Sequence, residues 1–153
     1  MAIEDFKLKH FKEDHPGTEF PAFENVGASK RTQLKETLAV RLGLLNDADG
    51  LDVVKRVHDS FEVESIYNAT ESSFNLKSIV EDLELEPNEY VYINWDRFEH
   101  LDRIRFADLA DHFPYIWYSV SDDIEIFDDN QRWVIVLRHD GAAAVVPVLY
   151  VGL

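Results

Sequence analysis

The sequence contains no cysteine. That absence excludes disulfides, thiolate metal sites and cysteine nucleophiles. A chain of 153 residues needs no such staple, because a domain of that length buries roughly two thirds of the surface its unfolded form exposes. Glycine is scarce, with six residues in all, so no Gly-rich run can cradle a phosphate, and no Gly-x-Ser-x-Gly elbow surrounds Ser119 or Ser121. Basic residues are few: 15 Lys and Arg stand against 30 Asp and Glu, a formal charge of −15. A field of that sign repels nucleic-acid phosphates and anionic lipid, so neither nucleic acid nor a membrane is expected as a partner. The longest apolar run, "AAAVVPVLYVGL", has 12 residues with a proline among them, too short for a bilayer. The start, "MAIEDFKLKHFKEDHPG", is charged throughout and lacks the apolar centre of a signal peptide. The expectation is a soluble cytoplasmic protein.

What is present is a core. Hydrophobic residues make up 46% of the chain, with ten Phe, six Tyr and three Trp, which separates it from a disordered acidic tail and predicts one domain over 1–153. Residues 1–28 show no sustained period, but Phe6, Phe11, Phe20 and Phe23 mark them as an arm packed on the body. Residues 29–86 read as mainly helical. Leu34, Leu38, Leu42 and Leu45 share one face behind Ser29 as a cap; Val53, Val54, Val57 and Phe61 form a second stripe; Leu76, Ile79, Val80 and Leu83 form a third behind Asn75.

Residues 89–150 read as mainly β with one short helix. "EYVYINW" alternates, Phe106, Leu109, Ala110 and Phe113 form a helical stripe ended by Pro114, and "YIWYSV", "DIEIF" and "RWVIVLRH" are strand-like. Asp140-Gly141 has the composition of a two-residue primed hairpin turn, with positive φ at both residues. That turn would pair Leu137 with Ala144, Ile135 with Val146, Val134 with Pro147 and Trp133 with Val148. Both faces of 133–137 are apolar, which predicts a central strand covered on both sides. The fold class expected is α+β: N-terminal helices packed on a mostly antiparallel sheet of about five strands.

The charge is uneven. Residues 81–153 hold 16 acids against 5 bases, residues 1–80 hold 14 against 10. The densest stretch is "SVSDDIEIFDDN". Alternation places Ile124 and Ile126 on one side of a strand and Asp123 and Glu125 on the other, which predicts a solvated acidic face, and Asp128-Asp129-Asn130 has turn composition. Acids adjacent on a strand diverge, so no metal is expected at Asp122, Asp123, Asp128 and Asp129. "NDADG" at 46–50 fails as a calcium loop: with Gly50 sixth in the frame, Leu45 and Arg56 occupy the first and twelfth positions. His58, His100 and His112 stand without a partner at ligand spacing. No cofactor is expected.

The order Trp117-Tyr118, Ser121 to Asp128, Trp133-Val134 and His139-Asp140-Gly141 resembles segments of small acidic bacterial immunity-type proteins encoded beside polymorphic toxins. The resemblance spans residues 117–141. It implies inhibition by tight binding, an acidic surface placed over a basic partner such as a cognate toxin, with no chemistry by this chain. The partner-binding residues expected on that reading are Asp122, Asp123, Glu125, Asp128 and Asp129, with Tyr118 and Phe127 as aromatic anchors. Two other readings accompany it: a metal-assisted or acid/base hydrolase using Asp122, Asp123 and His139, and a DNA mimic presenting carboxylates at phosphate-like spacing.

Overall fold

The computed structural model describes residues 3–61 and 67–148. Among the described residues five helices, α1 (Asp5–Asp14), α2 (Ala28–Arg41), α3 (Gly50–Asp59), α4 (Leu76–Asp82) and α5 (Phe106–Asp111), surround seven strands, β1 (Phe23–Asn25), β2 (Tyr67–Asn68), β3 (Tyr90–Asn94), β4 (Leu101–Arg105), β5 (Ile124–Phe127), β6 (Trp133–Leu137) and β7 (Ala142–Pro147). The strands form a single antiparallel sheet in the order β1-β4-β3-β5-β6-β7-β2. The class is α+β, with seven strands rather than about five.

The local signals that held are those with a mechanism. Asn75 accepts from the Lys77 amide and caps α4, as expected. The cap of α3, Asp49, accepts from the Leu51 amide and had not been expected. All five residues of β6 are buried. Ile135 and Leu137 join Ile93, Ile124 and Ile126 in a core covered by α4, α5 and α1; Val134 and Val136 join Tyr92 and Phe127 against Leu34, Leu38, Val53 and Val57 of α2 and α3. The sheet is therefore clad by helices on both faces.

Four expectations are corrected. The hairpin is one residue out of register: Leu137 pairs with Ala143, Ile135 with Val145, Val134 with Val146 and Trp133 with Pro147. The loop holds three residues, His139, Asp140 and Gly141, closed by Gly141 N–H to Arg138 O at 2.8 Å and Arg138 N–H to Ala142 O at 2.9 Å, and only its glycine takes positive φ, +97°. A turn followed by one left-handed glycine is the standard three-residue alternative to the primed turn. Val148 N–H still donates to Arg132 O, so Trp133–Pro147 is a non-hydrogen-bonded pair and the missing N–H of Pro147 faces away from β6.

Second, α2 has Gly27, not Ser29, at its N-cap position. Third, "YIWYSV" is not a strand: Phe113–Tyr115 is a 3-10 turn, and Phe113, Ile116 and Trp117 are buried at helix-like spacing before the chain loops out to Val120. Fourth, the arm contains a helix. In α1, Lys7 and Phe11 are the buried pair, and a lysine on the inner face masks the apolar stripe that sequence periodicity detects.

Candidate functional site

The acids of 119–129 do not share one environment. Alternation along β5 is as expected, but the face holding Glu125 lies under α2 and α3, so Glu125 and Phe127 are buried, at 4% and 0% exposure. The solvated face expected for Asp123 and Glu125 is thus corrected at Glu125, and Phe127 is a core residue touching the rings of Tyr92 and Phe98. Period two tells which side chains share a face; it cannot tell what packs on that face.

Glu125 ends a buried polar chain. Asn94, its cross-strand neighbour, donates from Nδ2 to Oε1 at 2.7 Å, and His58 Nε2 lies 3.2 Å from Oε2. Arg138 Nε stands 3.2 Å from His58 Nδ1, and a guanidinium can only donate, which assigns Nδ1 as acceptor and Nε2 as the protonated nitrogen facing Glu125. Burial pushes the Glu125 carboxyl above the usual carboxylate range, and the hydrogen bond from His58 only partly opposes it. His58 therefore has a carboxylate partner, which spacing along the chain did not reveal. A cleft of about 360 Å³ between α3 and the β5 end opens onto this group, with Leu51, Lys55, Trp95, Arg97 and Asp123 among its walls.

Asp122 points the other way. Lys7 of α1, 1% exposed, donates from Nζ to Asp122 Oδ2 and to Ile116 O, both at 2.8 Å, and lies 4.2 Å from the centre of the Trp95 ring. The same Oδ2 accepts from Tyr118 N–H at 2.9 Å, and Trp117 Nε1 donates to Asp122 O at 2.9 Å. These bonds close a tight loop, 118–122, at whose tip Val120 is 84% exposed with φ +78°. Tyr118 is half-buried. Its ring meets Phe6 edge-on at 5.4 Å, and burial raises its hydroxyl pKa.

Asp123 is exposed and accepts from His139 N–H at 2.6 Å, with His139 Nδ1 3.0 Å away. Asp122, held by Lys7, does not join them, so the three residues of the hydrolase reading do not converge. Asp128 is buried as a turn anchor, accepting from the amides of Asn88, Asn130 and Gln131. Asp129 is exposed, pairs with Lys30 at 3.1 Å and accepts from Tyr92, whose hydroxyl is pushed up to about 12 by burial and by that bond.

Of the residues expected to meet a partner, Asp123 and Asp129 are exposed, Tyr118 is partly so, and Asp122, Glu125, Phe127 and Asp128 are buried.

Two features escaped the sequence reading. Asp102, fully buried, accepts from Ile3 N–H at 2.8 Å and Trp95 Nε1 at 3.0 Å. Asp96, Glu99 and His100 bring ligand-type atoms within 4.8 Å of one another; His100 Nδ1 lies 2.6 Å from Asp96 Oδ2, and Asp96 Oδ1 accepts the amides of Glu99 and His100. An Asp four residues before a His was the available signal. No described helix is long and apolar enough to cross a membrane. The chain matches no family model, no curated protein and no solved structure.

Proposed function

We propose that this protein is an acidic protein-binding module that inhibits a basic partner by covering its active surface, in the manner of the immunity-type proteins that residues 117–141 resemble. The supporting observation is where the exposed charge lies. Three segments meet at one end of the sheet: Ala69 N–H donates to Gly141 O at 2.7 Å, and Val120 N–H to His139 O at 2.8 Å. Segments 68–72, 118–123 and 139–141 carry exposed Glu71, Asp123 and Asp140 and contain no Lys or Arg. A one-signed rim steers an oppositely charged partner and rejects like-charged ones.

The test is stopped-flow binding to the product of the adjacent gene, with that protein's activity followed in parallel. Binding should abolish the activity at one-to-one stoichiometry. The association rate should fall as salt shortens the Debye length from about 10 Å at 0.1 M to about 3 Å at 1 M. Replacing Glu71, Asp123 and Asp140 with their amides should slow association roughly tenfold at low salt. Absence of binding, or an association rate indifferent to salt, would remove the reading.

A further inference from the structure

We infer that the loop 118–123 is the docking surface of that module and that Val120 is its anchor, inserting into an apolar depression ringed by Lys and Arg on the basic partner. The inference rests on the reading just proposed and adds the contact residue and the shape of the partner's site.

A β-branched residue at φ +78° is an outlier, because its side chain crowds the backbone in the left-handed region. Such conformations persist where surrounding bonds over-determine them. Here they do. Asp122 N–H closes on Tyr118 O at 3.1 Å, Asp122 Oδ2 holds both Tyr118 N–H and the buried Lys7 ammonium, and Val120 N–H is fixed by His139 O.

Folding alone gives no reason to place valine at this position. Val120 buries almost nothing, at 84% exposure, whereas Gly or Asn would adopt the same φ with less strain. An apolar side chain that neither packs nor suits its backbone is accounted for by a contact outside the chain.

The surroundings have the layout of an interface centre and rim. Phe6, 49% exposed, lies edge-on to Tyr118 beside the loop and extends the apolar area. Asp123 ends the loop, Asp140 follows His139, whose carbonyl holds Val120 N–H, and Glu71 lines a groove of about 630 Å³ that runs past Tyr118 and Ser119 over Phe74 and Phe113. Apolar anchors at the centre with charge at the rim is how binding energy is distributed in tight complexes. A loop already locked in shape loses little entropy on docking. The acidic rim selects the occupant: a basic protein.

The experiment compares wild type with Val120→Gly, Val120→Asn and Val120→Asp, measuring thermal unfolding and binding kinetics against the product of the adjacent gene. Val120→Gly and Val120→Asn relieve strain and should melt about 2–4 °C above wild type. All three should dissociate roughly 10- to 100-fold faster, with association nearly unchanged for Gly and Asn. Stability gained together with binding lost is a pair of effects that a merely structural role does not produce. If wild type binds and all three variants bind equally well, the anchor is overturned while the inhibitor reading stands. If Gly and Asn melt below wild type, the strain argument falls and the inference with it. If wild type does not bind, both fall.

Discussion

Glu125 shows how far one residue's role depends on what lies above it. Its carboxyl is displaced upward by burial, so between the unfolded value near 4.5 and the higher folded value the native chain holds more protons than the unfolded one. Stability contributed by this group therefore declines as pH rises through that window, the reverse of the usual paired carboxylate. Glu125→Gln removes the titration. Its amide would also set an N–H against the His58 Nε2–H, a cost that does not vary with pH. In urea titrations at constant ionic strength, the variant should gain on wild type steadily as pH rises above about 4.5, through the raised folded-state range. A constant offset across that range would contradict the shifted carboxyl. The sequence showed the alternation at Ile124, Glu125 and Ile126 but not that Asn94 and His58 would meet Glu125. They lie 31 and 67 residues away in the chain, and only sheet order and helix docking bring them together.

Helix α1 illustrates the element scale. It meets the body through Phe11, through the Tyr115 hydroxyl donating to Asp14, and through the Lys7–Asp122 ion pair that also shapes the 118–122 loop, so the helix and the proposed anchor are joined through Lys7. Cutting one side of a buried pair leaves an uncompensated charge. Lys7→Met should cost about 3 kcal/mol, the lower end of the range for buried pairs because the Asp122 side chain keeps 11% exposure. Asp122→Asn keeps an oxygen for the Tyr118 amide. The double variant Lys7→Met, Asp122→Asn should accordingly be more stable than the sum of the single losses by at least about 1 kcal/mol. Additive losses in a denaturant double-mutant cycle would show that the pair is not coupled. Lys7 was unreadable as a core residue for a plain reason: an isolated lysine in a polar stretch is normally solvated, and only its partner's position decides otherwise.

At the scale of the whole molecule, the charge of −15 acts on folding and on binding with opposite signs. Self-repulsion opposes the compact state. Raising NaCl so that the Debye length shrinks from about 30 Å to about 8 Å should therefore raise Tm by a few degrees, equivalent to about 1 kcal/mol at this chain length. The same salt should weaken association with a basic partner. A Tm that fell with NaCl would mean that ion pairs such as Lys30–Asp129 and Lys77–Asp111 outweigh the repulsion.

The sequence by itself determined the quantities that need only neighbours along the chain: the class of fold, the cap at Asn75, the buried strand 133–137, the left-handed Gly141 and the sign of the field. These follow from backbone propensity and from periodicity, which act within a few residues. The tertiary structure alone decided the hairpin register, the cover over the Glu125 face, the burial of Lys7, Asp102 and Asp128, and the exposed Val120 at the tip of a clamped loop. Each depends on which distant segment arrives to supply a partner, because a buried polar group is tolerated only where its hydrogen bonds are met. The meeting of 68–72, 118–123 and 139–141 at one end of the sheet follows from strand order, which no local pattern encodes.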